Sequence, residues 1–381
     1  MNIVLLVSCT EEADNESFNS EVASSGFITD TTVTYSSLDV GSNHACAIGS
    51  DSKIKCWGDK SNSQLGDGTT TTRTTPVEVS DISGATAVSA GTDHSCAVLS
   101  DGSIKCWGMN TFGQLGDGTT NNSNTPVAVS GITTATAVSA GGWHTCAILV
   151  DESVKCWGNN SNGQLGDGTT NNTSIPTSAP LGTGAIAISA GKNHSCAVLS
   201  DGSIKCWGYG SWGQLGDGSM SDSSTPLVLA GISTATGVSA GTDHSCAVLS
   251  GGSLRCWGYG TDGQLGNGGF STSGTPVVVS GITTATTVFA GIQHSCAVLS
   301  DGSIKCWGQN VGGQLGDGTK NNSNIPVTVS GITSATVVSA GGEHTCAILL
   351  DKSVKCWGKN SDGQLGNGST TESLVPTTVS F

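Results

Sequence analysis

Apolar residues along this chain come in short runs of four to six, bounded by Gly, Ser, Thr, Asn or Asp, and none keeps the spacing of a helix. Short apolar runs between turn clusters are the pattern of β-strands. One representative stretch predicts strands at ATAVSA (85–90), HSCAVL (94–99), SIKCWG (103–108) and PVAV (126–129). The link from Gly108 to Pro126 is long, and its Gly-Asp-Gly and Asn-Asn steps favour turns and positive φ.

The four-strand pattern repeats. HSCAVLSDGSIKCWG occurs letter for letter from His94, His194 and His294, and close variants start at His44, His144, His244 and His344. These are the seven histidines of the chain, spaced by 50 residues without an insertion or deletion. A four-stranded unit of this period is a propeller blade: one blade cannot cover both faces of its sheet, whereas a ring of blades can and leaves only short edges. The expected fold is all-β, a seven-bladed β-propeller with four-stranded blades over residues 35–381. The last unit stops at Phe381 without a following ATAVSA strand, and Ser36 to Val40 supply that strand for the first unit. The N-terminal strand should therefore close the ring, with the terminal segments meeting at one blade. A straight solenoid would need capping repeats, and none are evident.

The hairpin loop fixes a register. With Ser-Asp-Gly at 100–102 as a three-residue loop, Val98 faces Ile104, Ala97 faces Lys105 and Cys96 faces Cys106. Opposed residues of a non-hydrogen-bonded pair bring their Cβ atoms within disulfide reach. The expected bridges are Cys46–Cys56, Cys96–Cys106, Cys146–Cys156, Cys196–Cys206, Cys246–Cys256, Cys296–Cys306 and Cys346–Cys356. Ser52, Glu152 and Lys352 occupy the loop glycine position in three units, which weakens the register there. Seven bridges require an oxidising compartment. The rival for His94, Cys96 and Cys106 is a Cys2His zinc site, but no fourth ligand recurs. Gly-Asp-Gly is better read as a turn than as a calcium site, because Asn267 and Asn367 replace the carboxylate. No cofactor and no catalytic residue is expected.

Cys9 is the fifteenth cysteine, and Leu6-Val7-Ser8-Cys9 resembles a bacterial lipobox. Residues 1–8 then read as a lipoprotein signal, with Cys9 lipidated, and residues 9–34, rich in Ser and acids, as a disordered tether. The lipobox lacks a basic n-region, as it would if the start codon were set too far downstream. A flexible chain of roughly 25 residues spans about 27 Å, enough to lift a globular body off a lipid surface. The expected location is a bacterial cell envelope, extracytoplasmic and reached only through the anchor. With 14 Lys and Arg against 29 Asp and Glu, the net charge is −15 and nucleic acid is not an expected partner.

The signature G-x-x-H-[ST]-C-A-[VI]-L, D-G-S-[IV]-K-C-W-G and G-Q-L-G-[DN]-G-T resembles the regulator of chromosome condensation repeat, over about residues 36 to 381. The resemblance implies seven-bladed propellers that serve unrelated functions, including nucleotide exchange on a nuclear GTPase, light sensing and β-lactamase inhibition. Exchange activity is disfavoured by the absence of an inserted wedge or a basic tail, and light sensing by the lack of clustered Trp beside the histidines.

Antiparallel pairing puts the loop before His and the loop after Trp-Gly on one rim. The units differ there. The rim carries Met109, Phe112, Trp143, Tyr209, Trp212 and Tyr259 among acidic positions that include Asp93, Asp243 and Glu343. Aromatics with a polar handle anchor protein interfaces, although Tyr209 and Tyr259 would also suit packing between blades. The sequence thus points to a monomeric, non-enzymatic module that binds a protein through this rim. A surface glycan is the second candidate partner and exchange-factor activity the third.

Overall fold

A computed structural model describes residues 33–381; Cys9, the signal-like segment and the tether up to residue 32 lie outside the described residues. Twenty-eight strands, numbered β1 to β28 in chain order, form seven four-stranded antiparallel sheets. Blade 1 contains β1 (Tyr35–Val40), β2 (His44–Gly49), β3 (Ile54–Gly58) and β4 (Arg73–Glu78), in that order from the central channel outward. Each later blade repeats this plan 50 residues on, and blade 7 ends with β28 (Ser373–Thr378). Among the described residues there is no helix.

The hairpin register is the expected one. Cys96 pairs with Cys106, Ala97 with Lys105 and Val98 with Ile104, and all seven disulfides form within their blades. Where the loop glycine is missing, the same turn forms: Ser52, Glu152 and Lys352 take φ of 57°, 62° and 67°. The tight loop thus imposes a left-handed conformation even on residues with a Cβ. The outermost strand differs from the sequence reading. It runs Ser123–Ala128 rather than 126–129, because a bulge lets Ser123 pair with Gly108 while Val127 pairs with Cys106. Pro126 is tolerated since this strand is a sheet edge.

The core lies between blades. Cys196, Val198, Ile204, Cys206, Leu215 and Leu229 of blade 4 pack on Ala235, Ala247 and Trp257 of blade 5. Trp257 and its six equivalents are fully buried. Each Trp removes roughly 200 Å² of surface from water, worth about 5 kcal/mol before conformational entropy is subtracted. The indole does more than fill space. Trp107 Nε1 donates to the Gln64 carbonyl of the preceding blade at 2.9 Å, and the Ser95 hydroxyl donates to the same oxygen at 3.0 Å. Having spent its proton there, Ser95 Oγ accepts from His44 Nε2, 2.8 Å away in blade 1. The relay explains why His, Ser or Thr, Trp and Gln recur together in the repeat.

The ring closes through the N-terminal strand, as expected, but the terminal segments do not share a blade. β1 belongs to blade 1 and β28 to blade 7. They meet across the boundary between those blades, where Tyr35 stacks on Phe381 with ring centroids 3.7 Å apart. Each unit begins at its innermost strand, so no sheet needs a strand from both ends of the chain.

Candidate functional site

The loops before His and after Trp-Gly share one rim. His94 pairs with Gly108, and the Met109 amide donates to the Asp93 carbonyl at 2.9 Å. The same clamp joins Asn193 to Tyr209, Asp243 to Tyr259 and Glu343 to Lys359. Gly108 sits at φ 109°, and a Cβ there would stand 2.6 Å from the Asp93 carbonyl oxygen, so the clamp requires glycine.

A third residue reaches this clamp from the preceding blade. Asn62 Nδ2 donates to Asp93 Oδ1 at 3.0 Å, Phe112 lies 5.9 Å from Trp143, and Gln293 Nε2 donates to Asp262 at 3.3 Å. At boundaries 1/2, 2/3, 4/5 and 5/6 such contacts form a corner of variable residues, and the repeat register assigns the equivalent three positions to every other boundary. In ring order from boundary 1/2 these are Asn62, Asp93 and Met109; then Phe112, Trp143 and Asn159; then Asn162, Asn193 and Tyr209; then Trp212, Asp243 and Tyr259. All six rim aromatic or thioether side chains predicted from the sequence fall on these four consecutive corners. Trp212 is the most open of them at 43 % exposure, and its ring meets Tyr259 edge-on at 5.1 Å. Tyr259 thus packs between blades and also lines the rim.

The three predicted acids differ in state. Asp93 is held by Asn62, and Glu343 forms an ion pair with Lys359 at 2.8 Å. Asp243 receives no hydrogen bond or ion pair among the described residues. Burial raises the carboxyl pKa of Asp243 above the usual range, and the charge of Lys192 partly counters it.

Sequence reasoning missed the wall of the central channel. Asp39, Ser89, Ser139, Ser189, Ser239 and Ser339 line a cavity of about 370 Å³, with Phe289 standing in the same series. Each Ser hydroxyl accepts from a backbone amide of the next blade: Ser89, Ser139, Ser189 and Ser239 from an Ala, as Ser89 does from Ala140 at 3.0 Å, and Ser339 from Val40 at 3.1 Å. Asp39 accepts from the Ser89 and Ser339 hydroxyls, both at 2.9 Å, and so ties blades 7, 1 and 2 together. Burial raises its pKa, while the donors that surround it act the other way. The signal was present in the sequence as one Asp and one Phe among five Ser at a 50-residue period. Lys192 was missed as well; it stands at the channel mouth on the rim side.

The histidines carry no reactive site. Each is fully buried, and desolvation lowers its pKa to about 3 or about 4. The imidazoles are therefore neutral at pH 7, and six are engaged by the Ser or Thr of the next blade. Their cysteine neighbours are bonded to each other, which removes the donors a zinc ion would need. Among the described residues no three His, Cys, Asp or Glu side chains converge on a metal position.

Known proteins share both the repeat and the ring. Residues 8–295 match the family model described as RCC1-like domain. Residues 301–348 and 353–381 match the regulator of chromosome condensation (RCC1) repeat. No curated protein matches the chain. The solved structure of human WBSCR16 is similar at 22 % identity and TM-score 0.78, covering 86 % of this chain and 95 % of that one. Prp20p from Saccharomyces cerevisiae, described with its binding to Gsp1p and histones, gives 20 % identity and TM-score 0.77, with 91 % and 88 % covered. The ectodomain of the Arabidopsis thaliana receptor kinase ACR4 gives 20 % and 0.53, with 91 % and 99 % covered. At these identities the likeness establishes the fold alone. With seven uninterrupted copies of the motif and a family match across most of its length, the chain belongs to the RCC1 repeat family.

Proposed function

We propose that this protein is a non-enzymatic interaction module that docks a protein partner on the rim formed by the loops before His and after Trp-Gly. One observation carries the reading. The units keep their buried positions nearly constant and vary at the rim corners, where four consecutive boundaries gather Met109, Phe112, Trp143, Tyr209, Trp212 and Tyr259. A contiguous arc of aromatics on an otherwise polar surface is the composition of an interface hot spot. The fold suits the role: a disulfide-braced ring holds loops from different blades in fixed relation, so that little ordering cost falls on binding. The bridges fit an oxidising, extracytoplasmic setting. In this reading lipidation of Cys9 and a tether ending near Thr34 hold the rim off a bacterial membrane.

The test is comparative capture from envelope extract. The full chain is immobilised beside a variant carrying Trp143→Ala, Tyr209→Ala, Trp212→Ala and Tyr259→Ala. A control carries Val150→Ser and Leu350→Ser, which alter two exposed apolar residues at the opposite hairpin turns. A protein retained by wild type and control but lost from the rim variant supports docking on the rim. Retention by all three overturns it, and retention of polysaccharide alone would transfer the rim to glycan binding.

A further inference from the structure

The corner at boundary 4/5 differs from the other six. Trp212 and Tyr259 pack edge to face at 68°, their centroids 5.1 Å apart. The Tyr259 amide is bonded to the Asp243 carbonyl at 2.8 Å, which fixes the main chain of Asp243 beside that of Tyr259. Trp212 occupies the position from which Asn62 reaches Asp93 at 3.0 Å at boundary 1/2. The Trp212 indole N–H does not bond to Asp243, so among the described residues this carboxylate has no donor. The remaining corner acids are all served. Glu343 has Lys359, Asp262 has Gln293, Asp59 has Ser61, and Asp362 has Ser361. Lys192 is near enough to bear on Asp243 electrostatically, yet makes no ion pair with it among the described residues.

A partly buried carboxylate served only by water gains from a paired cation, and an aromatic face beside it attracts positive charge through its ring quadrupole. We propose that Trp212, Asp243 and Tyr259 form a cation site that seats an Arg or Lys side chain from a basic segment of the docked protein. The inference rests on the docking reading of the rim and names the chemistry of its partner. Charge complementarity supports it, since the chain carries −15 overall and draws basic surfaces toward it. An acidic or purely apolar occupant would leave Asp243 unpaired. The corner at boundary 2/3 supplies the contrast: Phe112 and Trp143 are joined there by Asn159 and no carboxylate, which makes it an apolar anchor.

The test uses the full chain labelled with 5-fluorotryptophan, whose nine resonances include Trp143 and Trp212, assigned with Trp143→Phe and Trp212→Phe. The probes are butylguanidinium and its neutral isostere butylurea. Butylguanidinium should move the Trp212 resonance saturably, butylurea should move it far less, and the Trp143 resonance should not distinguish the two. Asp243→Asn, with its buried Trp resonances unchanged, should weaken butylguanidinium binding about five-fold, the size of a moderately desolvated cation interaction. A Trp212 signal indifferent to the cation, an equal response to butylurea, or undiminished binding by Asp243→Asn would overturn the proposal. The two readings separate cleanly. If capture needs the aromatic rim but butylguanidinium leaves Trp212 unmoved, the cation site falls and docking stands. If butylguanidinium binds as expected and nothing is captured, the cation site stands and docking falls.

Discussion

At boundary 3/4 the His144 imidazole donates to Ser195 Oγ at 2.8 Å, Ser195 donates to the Gln164 carbonyl at 2.9 Å, and Trp207 donates to the same oxygen. At boundary 7/1 the position of that serine is Ala45. Trp57 still reaches the Gln364 carbonyl at 3.0 Å, but both ring nitrogens of His344 are buried without a partner. A buried polar group left unmade costs about 1–3 kcal/mol. This boundary is also the one with no chain running across it, since blades 7 and 1 lie at opposite ends of the sequence. Other contacts stand in. Asp39 bridges Ser339 and Ser89 where ordinary blades use one serine, and Phe381 stacks on Tyr35 while meeting Trp57 edge-on at 5.6 Å. The comparison teaches that sequence repetition does not make boundaries equal. The closing boundary has exchanged a buried relay for a carboxylate bridge and a terminal aromatic stack.

Acid should strain every boundary and give the largest effect. Each histidine has a folded pKa of about 3 or about 4, below its ordinary value of 6.5. Below pH 6.5 the unfolded chain therefore binds more protons, and stability falls as pH drops toward 4, by about 1.4 kcal/mol per pH unit for each histidine. Asp39, Asp93 and Asp243 act in the opposite sense: burial raises their pKa, so the folded state takes up a proton first and acid favours the fold through these groups. Denaturant midpoints measured from pH 7 to pH 4 should fall steeply; a flat profile would mean that the histidines are not held neutral.

The carboxylate bridge should matter more than the serine it replaces. Asp39→Ala removes acceptors from two hydroxyls and two amides and is expected to cost about 3 kcal/mol. Ser189→Ala, at the same ring position in an ordinary blade, removes one acceptor and should cost about 1 kcal/mol. Equal losses in chemical denaturation would mean that the closing boundary gains nothing special from Asp39.

The smallest change is the most direct. Ala45→Ser should give His344 a partner and raise stability by about 1 kcal/mol, whereas Ser195→Ala should make boundary 3/4 resemble the closing one and lower stability by a similar amount. Thermal melts of the two variants decide it. If Ala45→Ser destabilises, the closing boundary is packed too tightly to accept the relay.

Much of this was legible from residue order. Cys96 faces Cys106 because a three-residue loop leaves one register, and that register held even at Glu152, where the loop has no glycine. The start of the outer strand was not legible, because Ser123 to Thr125 read as turn residues and only pairing with Gly108 through a bulge makes them strand. The rim positions were visible as the places where units differ. Their grouping was not, because Trp212 and Asp243 belong to different units and meet only when blades pack.

The sequence by itself determined the blade count, the strand order and the disulfide pairing, since a 50-residue unit buries its faces only against copies of itself and a short hairpin admits one alignment. Tertiary structure alone decided which residues share a boundary. It placed the histidine proton on Nε2, where the next blade offers a hydroxyl already committed as a donor. Among the described residues it also left both ring nitrogens of His344 buried without a partner and Asp243 without a donor, for the physical reason that hydrogen bonds between blades depend on side chains about 30 to 50 positions apart, which local pattern does not align.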